Sequence, residues 1–160
     1  MNTTILTIFG IALGLIIFFT LLRFILKKVT SSMKDLISEQ FQEEDIIMQE
    51  AMANFFGQES RGAGQMRGNG ALILTNDALH FTLLLPRRSW VIPLENITEM
   101  SLPRKHLGKS KMCDLLRVDY LDNTDNEKGD AIAWAVKDPE SWIEAISKQK
   151  EYLDSQTHFD

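Results

Sequence analysis

Only one of the 160 residues is cysteine, Cys113, so no intrachain disulfide is available and the chain suits a reducing compartment. Histidine is almost as scarce. His80, His106 and His158 stand at no spacing that sets up a metal site, or a base beside Cys113 or a serine. Asp114 follows Cys113 and opposes thiolate formation, which makes the cysteine a passive thiol. Basic charge is outweighed too, 17 Lys and Arg against 22 Asp and Glu, leaving a net charge of -5. Such a chain lacks the broad positive field that nucleic acid requires. Gly62-Ala63-Gly64-Gln65-Met66-Arg67-Gly68 looks superficially like a dinucleotide fingerprint. Its spacing is wrong, however, and a strand follows where a helix N-terminus would have to hold the pyrophosphate, so the expected reading is a mobile hairpin loop. With no acid/base pair and no activated nucleophile, the chain is not expected to be an enzyme, and no cofactor or metal is called for.

What is present is unevenly spread. Asn2 to Leu22 is a run of 21 residues without a charged side chain, dense in Ile, Leu and Phe. About 20 helical residues cross the hydrocarbon layer, so residues 1–28 read as a transmembrane anchor. A cleaved signal peptide would need a positive start, a shorter apolar run and a small-residue cleavage site, where here Phe24, Ile25, Leu26 and Lys27 follow. No Lys or Arg precedes the span, whereas Arg23, Lys27, Lys28 and Lys34 follow it closely, so the N-terminus is expected outside and the remainder in the cytoplasm. Gly10 and Gly14 form a Gly-x-x-x-Gly pair that would allow self-association of two such helices.

Beyond the anchor, Ser31-Ser32 and Asp35 resemble a helix cap, and Met33, Leu36, Ile37 and Phe41 repeat at helical spacing, so residues 29–45 read as a short helical linker. Its polar face becomes acidic through Glu39, Glu43, Glu44 and Asp45, which suits a spacer or partner-packing helix better than one lying on an anionic leaflet. By pattern alone, Ile46 to Phe56 is either helix or strand. A glycine-rich loop, 57–70, comes next. The period then becomes two: Ala71–Thr75 and Leu79–Leu85 form a hairpin around Asn76-Asp77, ended by Pro86. Ser89–Ile92 is a strand closed by Pro93, and Ile97–Leu102 is another, ended by Pro103. Leu116, Val118 and Tyr120 mark a later strand, an acidic loop runs from Asp122 to Asp130, and Ile132, Trp134 and Val136 alternate with alanines in the last one. Asp138 then caps a helix with Pro139 at its first position and Trp142, Ile143, Ile146 and Leu153 as its apolar stripe.

Three stretches together resemble a known family: Gly70-Ala71-Leu72-Ile73-Leu74-Thr75-Asn76-Asp77-Ala78-Leu79-His80-Phe81, then Trp90-Val91-Ile92-Pro93-Leu94-Glu95-Asn96-Ile97, then Trp134-Ala135-Val136 with Pro139 to Trp142. Their order and spacing resemble the GRAM branch of the pleckstrin-homology-like superfamily, over about residues 46 to 150. The resemblance turns Ile46–Phe56 towards strand. It implies an α+β fold, a seven-stranded antiparallel barrel capped by a C-terminal helix over residues 46–154, with 155–160 as a tail. It also implies lipid or protein binding without catalysis. Phosphoinositide-binding pleckstrin-homology domains share a Lys/Arg-rich loop after the first strand; here only Arg61 and Arg67 stand among glycines, which argues against a classical inositol-phosphate site.

One local excess of charge runs against the acidic background. From Arg87 to Lys111 there are six basic residues, Arg87, Arg88, Arg104, Lys105, Lys109 and Lys111, against two acids, Glu95 and Glu99. Near an anionic leaflet each contributes about 1 kcal/mol, so the six are the expected contacts for anionic membrane lipids or a membrane-associated protein; a solvated loop is the plainer reading of such a run. The expected function is a membrane-anchored, non-catalytic binding module, with a scaffolding component of a membrane complex as the alternative.

Overall fold

Residues 15–56 contain neither glycine nor proline, and a helix that starts in the apolar segment meets nothing to break it. In the computed structural model, which describes residues 3–122 and 128–157, helix α1 accordingly runs uninterrupted from Thr3 to Gln40. The linker helix expected separately is the C-terminal part of α1. Within α1, Ile8–Ile25 is long and apolar enough to cross a membrane by length and composition. The chain divides into two compact units, Met1–Leu36 and Ile37–Asp160. Every buried hydrophobic side chain among the described residues lies at Ile37 or beyond, so the second unit carries its own core.

That unit contains β1 (Met48–Gln58), β2 (Gly68–Leu74), β3 (Ala78–Leu83), β4 (Arg88–Pro93), β5 (Ile97–Ser101), a two-stranded ribbon of β6 (Lys105–His106) and β7 (Lys109–Ser110), β8 (Leu116–Asp122), β9 (Lys128–Ala135) and helix α2 (Pro139–Thr157). Seven strands form one antiparallel sheet in the order β4-β3-β2-β1-β9-β8-β5. Its outer strands, β4 and β5, are joined only by the single 3-10 turn Leu94–Asn96. Laid flat, six strand spacings would separate them by about 29 Å, while three residues reach at most about 11 Å. The sheet therefore has to curl until its edges approach. Inside the curl Phe55, Phe81, Trp90 and Trp134 pack with centroids 5.0 to 5.6 Å apart. The α2 residues Trp142 and Ile146 join the same core. The Asp138 carboxylate accepts from the Ser141 amide at 3.1 Å and hydroxyl at 2.7 Å, the cap expected from sequence, and these bonds hold its carboxyl below the ordinary range.

Three local readings change. The glycine-rich segment is not all loop, because β1 extends to Gln58 and β2 begins at Gly68. A Cβ on Gly70 would collide with the Thr82 carbonyl oxygen, so this glycine serves close strand approach. Strand β9 is buried on both faces: Ile132 and Trp134 point into the core, while Ala133 and Ala135 pack with Phe56 and Leu115 on the other side. Leu115 belongs to the excursion 103–115, closed by the Leu115 amide donating to the Pro103 carbonyl, 3.0 Å. His80, whose place on the Ala78–Thr82 face of its strand, opposite Phe81 and Leu83, reads from sequence as surface, is half-buried, with the Phe41 ring 4.7 Å from its own. Burial lowers its pKa. His158 and residues 123–127 of the acidic loop lie outside the described residues.

Candidate ligand-binding mouth

Strand polarity brings the β1–β2 and β3–β4 connections to one end of the sheet. The β1–β2 connection is built from specific bonds. Asp130, at the start of β9's core segment, accepts from the Ser60 amide (2.9 Å) and hydroxyl (2.7 Å), the Gln58 amide group (2.5 Å), the Tyr120 hydroxyl (3.3 Å) and the Ala131 amide (2.8 Å). Burial alone would raise its carboxyl, but these donors outweigh burial and hold it below the ordinary carboxylate range. Burial, and then the charge of Asp130, push the Tyr120 phenol upward. Arg117 clamps the same turn from outside, reaching Glu59 and Asp119 at 2.7 Å each.

The rest of the loop folds back on β1. Gln65 donates to the carbonyls of Gln58 (2.6 Å) and Gly62 (2.7 Å), and its own oxygen accepts from the Gln58 amide at 3.2 Å. The ribbon β6–β7 holds it from the other side: the Lys109 ammonium donates to the Gln65 carbonyl at 2.5 Å and to that of Phe56 at 3.4 Å. Arg67 lies over the Phe56 ring, 4.4 Å from its centroid, and reaches the Ser110 carbonyl at 3.3 Å. His106 is buried and donates from Nε2 to the Gly57 carbonyl at 3.1 Å, leaving Nδ1 without a partner. Burial lowers its pKa, against the opposing effect of that bond. Gly57 takes φ +130, and a Cβ there would meet Leu107 at 2.7 Å, which is how the ribbon approaches β1 so closely. The expectation of a mobile loop thus gives way to a pinned one.

Between this loop, β4 and the end of β8 opens a cleft of about 650 Å³, walled by Gln58, Arg61, Arg88, Trp90, Tyr120 and Asp122 among others. A second cleft, about 340 Å³, lies across Arg61, Arg88 and Trp90, and is floored by Phe55 and Leu83. Arg61 and Arg88 therefore line both. Both clefts are also lined by Trp90, whose indole donates to Gln58 at 3.0 Å, and the larger one carries the carboxylate Asp122 beside the two arginines, whose side-chain type can bind an oxyanion through paired N–H donors.

The six basic residues singled out by composition are distributed unequally. Arg87 and Arg88 are exposed at the β3–β4 turn, Lys105 and Lys111 are exposed on and after the ribbon, and Arg104 pairs with Asp114 at 3.2 Å. Lys109 has its ammonium on backbone carbonyls. Arg88 shares its clefts with Arg61, which charge counting over 87–111 leaves out; the signal for it was the acid-free run from Ser60 to Gly70. Gln58, Tyr120 and Asp130 come from strands far apart in sequence, and no local pattern marks them.

No family model matches the chain, and no curated protein matches its sequence. Solved structures that resemble it include the Vps36 N-terminal PH domain (12% identity, 69% of this chain and 81% of that one, TM-score 0.47). The hSac2 domain from the human phosphoinositide phosphatase Sac2 is similar at 13% identity (81% and 82% covered, TM-score 0.47). The C-terminal domain of an unknown protein from Leishmania infantum is similar at 13% identity (66% and 83% covered, TM-score 0.46).

Proposed function

We propose that this chain is a membrane-anchored, non-catalytic binding module of the GRAM-like kind, whose unit Ile37–Asp160 takes up anionic headgroups at the cytoplasmic face. The observation that carries this reading is the pairing of Arg61 with Arg88 on one cleft at the end of the sheet. Arg87, Arg104, Lys105, Lys109 and Lys111 supply the surrounding positive field, with Lys109 acting mainly by fixing the loop. Near an anionic leaflet, exposed cations add about 1 kcal/mol each, so a tethered unit needs no deep pocket to orient itself. The Ile8–Ile25 segment supplies the tether, and the Lys and Arg that follow it favour the cytoplasmic side.

Flotation of residues 31–160 with phosphatidylcholine vesicles, with and without phosphatidylserine, tests the reading. Binding is expected only with the anionic lipid, and is expected to weaken in high salt because exposed charges are screened over about 8 Å at physiological ionic strength. Arg61→Ala with Arg88→Ala should reduce it more than Lys105→Ala with Lys111→Ala. Equal binding to neutral and anionic vesicles, or none at low salt, replaces the lipid reading with scaffolding of a protein partner.

A further inference from the structure

His106 is 2% exposed, and its Nδ1 has no hydrogen-bond partner, although buried polar atoms are nearly always bonded. Among the described residues, the ring's one bond runs from Nε2 to the Gly57 carbonyl. In the pairing of β6 with β7, His106 stands directly opposite Lys109. Both side chains therefore leave one face of the ribbon and meet neighbouring carbonyls, His106 that of Gly57 and Lys109 those of Phe56 and Gln65. Cations crowd this spot. Arg67 lies over the Phe56 ring and reaches the Ser110 carbonyl, and Arg117 of β8 opposes a charge on the imidazole. The acids that face the ring, Glu59 and Asp119, are both held by Arg117 at 2.7 Å. Burial outweighs the Gly57 bond and the pull of these acids, and keeps the imidazole neutral to below its ordinary range.

A proton on Nδ1 adds a buried donor with no acceptor and a positive charge directly across from Lys109. Lifting the ribbon into solvent relieves both. We infer that the β6–β7 ribbon is a proton-operated latch on the β1–β2 loop: charging of His106 lifts the ribbon from Gly57 and frees residues 62–67. Lifting takes Lys109 off the Gln65 carbonyl and the Ser110 carbonyl off Arg67. The first turn of the loop stays in place, because Ser60 is bonded to Asp130 and Glu59 to Arg117. The opening is thus local. It falls on the smaller cleft, which Gly64, Gln65 and Met66 help to wall beside Arg61 and Arg88. This last consequence rests on the headgroup reading above: acid should weaken headgroup engagement, although added positive charge by itself would strengthen attraction to an anionic leaflet.

Amide hydrogen exchange of the full chain in phosphatidylcholine nanodiscs tests the latch, compared at about pH 7.5 and about pH 5, on either side of the ordinary histidine value, and corrected for intrinsic rates. The Gln58 amide, which donates to the Gln65 side chain, and the ribbon amides should lose protection about tenfold in acid, while residues 131–135 of β9 keep theirs. His106→Gln, neutral throughout and still able to donate to Gly57, should hold both in acid. His80→Gln should leave the opening unchanged, and Lys109→Met should expose the Gln58 amide at both pH values. Protection indifferent to acid, opening that persists in His106→Gln, or loss at 131–135 together with the ribbon overturns the latch. Nanodiscs with added phosphatidylglycerol, whose phosphodiester stays charged throughout, test the consequence. Energy transfer from the tryptophans, all in the second unit, to a headgroup-labelled lipid should rise on adding phosphatidylglycerol at about pH 7.5, and that rise should vanish at about pH 5. No rise at the higher pH overturns the headgroup reading and leaves the latch standing. A rise that acid preserves or enlarges overturns the latch's control of the cleft.

Discussion

Asp130 sits at the end of an acidic run in the sequence and would pass there for one more solvated carboxylate. In the fold it accepts five hydrogen bonds from Gln58, Ser60, Tyr120 and Ala131. Asp130→Ala leaves the Tyr120 hydroxyl buried without its acceptor and the Gln58 amide with only the Tyr120 oxygen, at 3.2 Å, and is expected to cost about 3 kcal/mol in chemical denaturation. The Ser60 amide should lose its exchange protection at the same time. His106 makes a second prediction. Its folded pKa lies below the ordinary 6.5, so the unfolded chain takes up a proton first as pH falls. Stability should therefore be constant above that value, decline as pH drops below it, and level off below the folded pKa. His80 is shifted in the same direction and adds to the decline. Thermal melts across this window should flatten in the His106→Gln, His80→Gln double variant.

At the scale of elements, α2 was the most legible, because Asp138, Pro139 and the spacing of Trp142 and Ile146 declare cap, first turn and buried face within ten residues. Trp142 is 1% exposed. Trp142→Ala should cost about 3–5 kcal/mol, which a melting experiment on residues 31–160 reads as a large fall in Tm. Strand β9 was half legible. Alternation pointed Ile132 and Trp134 inward, but Ala133 and Ala135 look like an open face until the excursion 103–115 lies on them. Ala133→Leu should therefore destabilise by overpacking, by about 1–3 kcal/mol, where an exposed alanine would tolerate leucine. The ribbon itself escaped the reading because two residues per strand are too short to show a period. Its turn, Leu107 and Gly108 at φ +49 and +73, is set by contact with β1 as much as by local preference.

For the whole molecule, the separation into two units has a direct consequence. Since every buried hydrophobic among the described residues belongs to the second unit, residues 31–160 should melt at the Tm of that unit in the full chain. A lower Tm for the fragment would mean that α1's apolar segment supports the sheet. Orientation is a separate matter. On the proposed reading, a reporter fused after Asp160 should be shielded from membrane-impermeant reagents in intact cells, the side favoured by the Lys and Arg that follow the apolar segment. Labelling from outside would reverse the assignment of sides.

By itself the sequence determined the apolar helix, the alternating strands, the proline-ended turns and the capped final helix, because each depends on residues within one or two turns of the chain. Tertiary structure alone decided which cations share a cleft. Arg61 and Arg88 are 27 positions apart and share a cleft because antiparallel pairing returns both connections to one end of the sheet, whereas Lys109 is drawn onto the carbonyls of Phe56 and Gln65 by the docking of the ribbon. Closure of the sheet was likewise a global outcome. A three-residue link between its two edge strands has meaning only once the strand order is known.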